Sequence, residues 1–592
     1  MAGPERCSRS TVAHGLSPPA VPDSITVQDA AADSAPNLAD PVRGAALHHG
    51  DKPALHWRDE SINWSELDVA VTAAAHGLAA VAPPTEPGGT PPRVAIALPN
   101  TPDFVIGLLG TLRAGLVAVP VNPGLTAPEL RHVLADSGAS VLIGTDRVRS
   151  LVAEVAAELP VLTAVHGTPP TAAHATPPTA AYGTPPAAAH ATSPTAGAPG
   201  PSALPSRGGD DLAVLLYTSG TEGRPKGAML SHRALLANHE QVDRIDPPVV
   251  GPTDTVLLAL PLFHAYGLNS GLGAVVRHGA TGVLLDELGP TAGLDEIARH
   301  RVSVLAGVPS MFLTWADAPE ARAATASVRV AVCGAAPLER AVAARFAEAT
   351  GHPVHIGYGL TETAPMLTTT LVGGVAKAGS IGRPLPGVRL RLVDPDGVDL
   401  WRDGEAVPDD DLDELDISDI APGTDPGQIV VAGDNLFAGY WPDGRDGPDA
   451  DGWWPTGDVA YADADGDLFL VDRLGELILV NGFNVYPREV ELVLGGHPGV
   501  AESAVLGVPH PRTGETVRAY VVPAQGRPVT SEELLAHCAR NLARFKCPTA
   551  VEFVDALPHS AIGKVRKIQL RSATPAGPPA SADTRTEVTD GQ

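Results

Sequence analysis

Short, wholly apolar runs alternate along this chain with longer stretches of mixed polarity. Val94–Leu98, Leu116–Val121 and Leu212–Leu216 are continuous enough to read as buried strands, and the amphipathic segment 102–114 between the first two reads as a helix. Asp51–Leu55 and Ile62–Leu67 suggest a strand pair running into a helix. Strands alternating with helices in this way predict a parallel α/β sheet. Further on, Leu477–Val480, Ala504–Val508 and Arg518–Val522 are strand-like, and a helical pattern follows Ser531-Glu532-Glu533, where Ser531 can cap the first turn. At 592 residues the chain is too long for one core. The pattern predicts a large α/β domain over 41–471, a hinge at 472–476 and a small α+β domain over 477–570.

Four segments lack the pattern. Residues 1–40 are rich in Ala, Ser and Pro and read as a disordered leader, as does the polar tail 571–592. From His166 the chain repeats every eight residues: HGTPPTAA, HATPPTAA, YGTPPAAA, HATSPTAG. Paired prolines remove backbone donors, so 166–208 reads as an extended, solvated insert, and His166, His174 and His190 as members of a repeat rather than metal ligands. Residues 403–425 hold ten Asp/Glu and no Lys or Arg. Without EF-hand spacing, they read as a self-repelling loop.

Charge and cysteine content narrow the function classes. The balance of 41 basic against 68 acidic residues gives a net charge of −27, which argues against nonspecific binding to nucleic acid or anionic membrane. Four cysteines (Cys7, Cys333, Cys538, Cys547) make neither a disulfide framework nor a close metal-ligand pair. The longest uncharged stretch, Val256–Val276, contains Pro261, His264, Asn269 and several glycines, so it reads as a loop-interrupted core segment and not a membrane span. The expectation is a soluble cytoplasmic enzyme.

The richest chemistry lies at 217–227, YTSGTEGRPKG, directly after the buried run 212–216. Gly220, Gly223 and Gly227 allow tight turns and close approach of a ligand. Thr218, Ser219 and Thr221 add hydroxyls, and Arg224 and Lys226 add positive charge. Such a loop can surround phosphate with donors and neutralise it, although its glycine spacing is not that of the Walker loop. Further motifs follow in order: Gly357–Thr363 (GYGLTET), Gly452–Asp458 (GWWPTGD), Asp472–Glu476 (DRLGE), Gly482–Pro487 (GFNVYP) and Pro558–Lys564 (PHSAIGK).

This collinear set resembles the adenylate-forming, AMP-binding superfamily, which includes acyl- and aryl-CoA synthetases, luciferases and peptide-synthetase adenylation domains; the likeness is strongest to fatty-acid–CoA ligases. It runs from about residue 41 to about 571, interrupted by the two inserts. It implies ATP and CoA as co-substrates, Mg²⁺ as the metal, and conversion of a carboxylic acid to acyl-AMP and then acyl-CoA. By resemblance, 218–226 holds the β- and γ-phosphates, Glu362 coordinates Mg²⁺ and Thr361 lies near the α-phosphate. Asp458 anchors the ribose with Arg473 as its cationic partner. Gly334, Ala335, Ala336, Tyr358 and Gly359 form the adenine pocket, with Tyr358 stacking on the base. Lys564 bridges the acyl carboxylate and the α-phosphate, while Arg566 and Lys567 are expected to be solvated. After adenylation the small domain rotates about the hinge and presents Gly482-Phe483-Asn484 to the thiol tunnel. One departure is Gly475, where relatives carry Asp or Lys as the pivot, so a charged contact favouring one orientation is missing.

Phe263-His264 also resembles the acyl- and aryl-CoA synthetases; amino-acid-activating domains carry Asp at the His264 position, which argues against an amino acid. His264 reads either as a catalytic-site residue or as a structural histidine. Leu268, Val308, Met311 and Phe312 suggest an apolar lining and hence a fatty or other hydrophobic acid. An aryl-CoA ligase, an acyl-AMP ligase loading a separate acyl carrier protein, and a luciferase-like oxygenase share these motifs and stay open. Pro498 after Gly495-Gly496-His497 excludes an attached carrier domain, and a noncatalytic binding protein would be expected to have lost Lys564 or Glu362.

Overall fold

Asn63 caps the helix Trp64–Val81 reciprocally: Glu66 N donates to Asn63 Oδ1 and Asn63 N to Glu66 Oε2, both at 2.9 Å. The helix buries Trp64, Leu67, Val71, Ala74 and Leu78 along one stripe. It crosses the helix Pro102–Arg113 where Gly110 stands: a Cβ there would lie 2.7 Å from that of Ala74, so any larger residue would push the helices apart. These features come from a computed structural model, which describes residues 35–85, 89–155, 163–166, 204–218, 225–286, 292–373, 376–407, 423–473, 476–480, 483–510, 512–560, 564–567 and 569–570.

The expected parallel architecture is present as two sheets. A nine-stranded sheet has the spatial order Arg383–Pro384, Met366–Thr369, His355–Gly359, Val330–Cys333, Val304–Gly307, Thr255–Leu258, Thr281–Leu284, Pro53–Trp57, Glu60–Asn63. Its middle is parallel and its ends are antiparallel. A six-stranded sheet runs Thr163–His166, Val141–Gly144, Arg93–Ala97, Val117–Pro120, Leu212–Thr218, Lys226–Ser231, parallel except for its last pair. The pattern did not announce a third, wholly antiparallel sheet of six strands between Arg389 and Arg473, whose last two strands are Trp453–Ala462 and Leu468–Arg473. The small-domain segment forms its own five-stranded sheet from Ile478–Val480, Phe483–Val485, Val500–His510, Gly514–Pro523 and Ala550–Phe553.

Several boundaries need correction. The leader does not extend to residue 40: Asn37, Leu38 and Ala39 are buried, because the Asn37 amide satisfies the carbonyls of Leu112 and Arg207 at 3.0 and 2.8 Å. The insert does not begin at His166 or end at 208. His166 closes a strand, and Gly208 packs on Ala35 so closely that a Cβ would meet its carbonyl. The acidic segment opens with a hairpin, in which Leu390 N donates to Asp403 Oδ1 at 2.9 Å. Thr530, not Ser531, caps the helix Ser531–Asn541, in a box with Glu533. Residues 1–34, the repeats over 167–203, the carboxylates of 408–422 and the tail lie outside the described residues. Within the described residues no helix is long and apolar enough to cross a membrane, and Val256–Val276 is a strand, a loop and two short helices.

Candidate active site

The candidate residues come from the carboxyl ends of neighbouring parallel strands, the usual position for ligands in open α/β sheets. Val330–Cys333 leads into Gly334, His355–Gly359 into Leu360 and Thr361, and Thr255–Leu258 into the loop carrying His264.

The phosphate segment is a hairpin: Leu212–Thr218 pairs antiparallel with Lys226–Ser231, with Thr218 opposite Lys226. Ser219, Gly220, Thr221 and Gly223 lie outside the described residues. The far side of the second strand is covered by 438–441, where Ala438 N donates to Met229 O at 2.9 Å and Trp441 N to Gly227 O at 2.8 Å. That segment also reaches Glu362, since Phe437 N donates to Glu362 O at 2.9 Å. Glu362 and Thr361 sit on a single 3-10 turn, Thr361–Thr363. Glu362 is buried, and its Oε1 accepts from Tyr440 OH at 2.6 Å. Its other oxygen has no partner among the described residues, which fits a single hard oxygen ligand to a divalent ion shared with phosphate. No group of three or more His, Cys, Asp or Glu that could hold a metal occurs among those residues.

Asp458 and Arg473 face each other in register on the last two strands of the antiparallel sheet. Arg473 Nε donates to Asp458 Oδ1 at 2.6 Å and Tyr358 OH to Oδ2 at 2.7 Å. Burial draws the Arg473 guanidinium down, but the Asp458 carboxylate more than reverses this and it is raised. Gly359 must be glycine, because a Cβ would stand 1.8 Å from Pro365 O. Gly334 lies against the Tyr266 ring, whose hydroxyl donates to Val332 O at 3.1 Å. Ala335, exposed, takes the left-handed φ of +67°, an uncommon conformation for alanine that turns the chain sharply away from the strand. Ala336 follows it half-buried.

Lys564 is carried by a tight turn of the small domain. Ser560 N donates to Lys564 O at 2.8 Å, Lys564 N to Ser560 Oγ at 3.1 Å and Arg566 N to Pro558 O at 2.7 Å. The Lys564 residue still reaches solvent, yet desolvation and then Arg473 lower its ammonium, against the pull of Glu476 and Asp458. His264 is pushed down to about 4 by burial and then by the Lys564 charge. The turn of the small domain thus lies within electrostatic reach of His264, Arg473 and Asp458 of the large one. Gly475 and Gly482 lie outside the described residues, and of Phe483 and Asn484 only the strand is described.

Two expectations for neighbouring residues change. Lys567 is not solvated: its Nζ lies 2.8 Å from both Glu476 and Glu491, which raise it against the cost of burial. Arg566 is exposed, as expected. Leu268 belongs to the core around the helix Trp64–Val81, while Val308, Met311 and Phe312 share a separate core with Tyr266, so the four do not form one lining. The sequence reading also missed Asn100 and Tyr440. Asn100 is buried and braces the His264 loop, donating to Leu258 O and Leu260 O at 3.0 and 2.8 Å and accepting from Leu262 N at 3.0 Å. Its only sequence signal is an Asn after a buried strand, which reads equally as a local turn.

Residues 42–441 match the AMP-binding enzyme family and 489–564 its C-terminal domain. A feruloyl-CoA synthase of Amycolatopsis sp is 38% identical over 545 residues, covering 90% of this chain and 97% of its own. A long-chain-fatty-acid–CoA ligase of Escherichia coli O157:H7 is 34% identical over 497 residues, covering 81% and 85%. The solved structure of ATP-bound MatB from Rhodopseudomonas palustris superposes with a TM-score of 0.75 at 30% identity, covering 91% of this chain and 99% of that one. A benzoate CoA ligase from Burkholderia xenovorans LB400 gives 0.72 at 26%, covering 90% and 99%. The chain belongs to the AMP-binding enzyme family and is an AMP-forming acid–thiol ligase that uses ATP and CoA.

Proposed function

We propose that this enzyme activates a compact hydrophobic acid, an aromatic one by preference, in the cytoplasm. A carboxylate oxygen attacks the α-phosphorus of ATP as the bond to the pyrophosphate oxygen breaks, giving acyl-AMP and pyrophosphate. The CoA sulfur then attacks the acyl carbon, its proton is lost, and AMP leaves. Lys564 meets the carboxylate and α-phosphate as negative charge gathers there, a contact worth most where water is excluded. Asp458, held by Arg473 and Tyr358, accepts from the ribose hydroxyls, with Gly334, Ala335, Ala336 and Gly359 leaving room for the base. Thr218, Ser219, Gly220, Thr221, Gly223 and Lys226 receive the outer phosphates, Thr361 lies near the α-phosphate, and Glu362 holds Mg²⁺. When bound, Mg²⁺ neutralises charge on the phosphate oxygens. Gly482 contributes to the thiol path. The observation that carries the activation reading is the buried Asp458 carboxylate, held by Arg473 Nε at 2.6 Å and Tyr358 OH at 2.7 Å.

The aromatic preference is supported by the feruloyl-CoA synthase relative. A fatty acid is the second reading, favoured by the long-chain relatives. The free thiols of Cys333, Cys538 and Cys547 agree with a reducing compartment.

Pyrophosphate release across benzoic, cinnamic and linear aliphatic acids, with and without CoA, followed by mass analysis of products, tests both readings. Higher kcat/KM for the aromatic acids supports the first and the reverse order the second. ADP as product would overturn both.

A further inference from the structure

Tyr440 lies outside every motif that marked the site, yet its side chain contacts two of the groups on which phosphate binding depends. Its hydroxyl donates to Glu362 Oε1 at 2.6 Å, and Lys226 Nζ stands 5.4 Å from its ring centroid. We propose that Tyr440 is a positioning residue that aims the Glu362 carboxylate at the metal–ATP complex and keeps the Lys226 ammonium at the phosphate hairpin; this rests on the reading of Glu362 as the Mg²⁺ ligand.

The ring is itself well fixed. Its backbone bridges Ala228 in the phosphate strand, and its amide donates to Arg445 O at 2.9 Å. Phe437 packs edge-on against it at 5.1 Å between centroids, and Phe437 N is bonded to Glu362 O. One short segment therefore sets the distance between the carboxylate and the hairpin, and Tyr440 transmits it to both charged groups. A bond to one carboxylate oxygen stops rotation of the group and leaves the other oxygen to face a cation. The ring face offers the ammonium a cation–π contact, while exposed Asp446 lies 3.8 Å from it.

The test measures ATP binding to the full chain by titration calorimetry, with Mg²⁺ and with EDTA, for the wild type, Tyr440→Phe, Tyr440→Leu and Glu362→Gln. Tyr440→Phe keeps the ring and should lose about tenfold in affinity with Mg²⁺ while staying within about twofold in EDTA, the scale of one charge-assisted hydrogen bond. Tyr440→Leu should lose the same increment and, in addition, about threefold in EDTA, because the Lys226 contact has gone. If Glu362→Gln abolishes the gain from Mg²⁺ but Tyr440→Phe matches the wild type, the role of Tyr440 is wrong and the Glu362 reading survives. If Glu362→Gln keeps the full gain, the Glu362 reading falls and takes this proposal with it. Equal losses for Tyr440→Phe in both buffers would reduce Tyr440 to a packing role and overturn the proposal.

Discussion

The backbone amide of Arg488 donates to the Asp472 carboxylate at 2.8 Å, so a residue on the large-domain side of the hinge caps a helix of the small domain. The helix Pro487–Gly495 needs that acceptor, because its own cap residue, Tyr486, makes no side-chain capping bond. Asp472 also accepts from its own neighbour Arg473 N at 2.7 Å, and burial nonetheless raises its carboxyl. The bond ties Asp472 to the start of that helix across the segment 472–476, which the sequence reads as a hinge; on that reading it would favour the orientation in which Lys564 faces the large domain.

Asp472→Ala should therefore slow adenylation about fivefold, the scale of one lost helix cap. Thioester formation from supplied acyl-AMP should be unchanged or faster, since the cap opposes rotation away from this arrangement. Stopped-flow measurement of each half-reaction checks this, and equal losses in both would assign Asp472 to folding alone.

On the proposed role of Lys564, Lys564→Ala removes the charge that would meet the carboxylate and α-phosphate. Adenylation should fall on the order of 10²–10³-fold, while thioester formation from supplied acyl-AMP survives. Arg473→Ala should weaken both steps, because on the proposed reading its carboxylate partner Asp458 would hold the ribose through each. Equal impairment of both steps in a folded Lys564→Ala protein would show that the lysine is not confined to adenylation.

Burial pushes the Asp103 carboxyl from an ordinary 3.8 up to about 7. Between those values the folded protein keeps a proton that the unfolded chain has lost, so this group erodes stability as pH rises from about 4 to about 7, and the full cost persists above. Asp103→Asn should stabilise the protein at pH 8 by on the order of 2–4 kcal/mol, and progressively less as pH falls towards 4. Denaturation midpoints at pH 8 and pH 5 measure the difference. An identical effect at both values would place its origin in packing.

Deleting 168–204 should leave kcat/KM within a few-fold of the parent. The strand Thr163–His166 lies before the cut, and Gly208, packed against Ala35, lies after it. A loss of several orders of magnitude in a still-folded deletion would show that the repeat takes part in catalysis.

Local physics made much of this protein legible in its sequence. Apolar runs such as Val94–Leu98 can only be buried, so the parallel strands and the helices between them follow from periodicity. The glycine, hydroxyl and lysine content of 217–227 reads as a phosphate loop from its chemistry alone. Relations between distant residues were not legible, because side-chain partners are chosen by packing. Asn100 supports a loop about 160 positions later, Tyr440 meets Glu362 across 78 positions, and Lys567, which reads as a surface lysine, is held between two glutamates. The sequence alone determined the family motifs and their order along the chain. Only the tertiary structure decided which of them meet, since each meeting depends on sheet order and on how a hinged turn docks, and neither is encoded at short range.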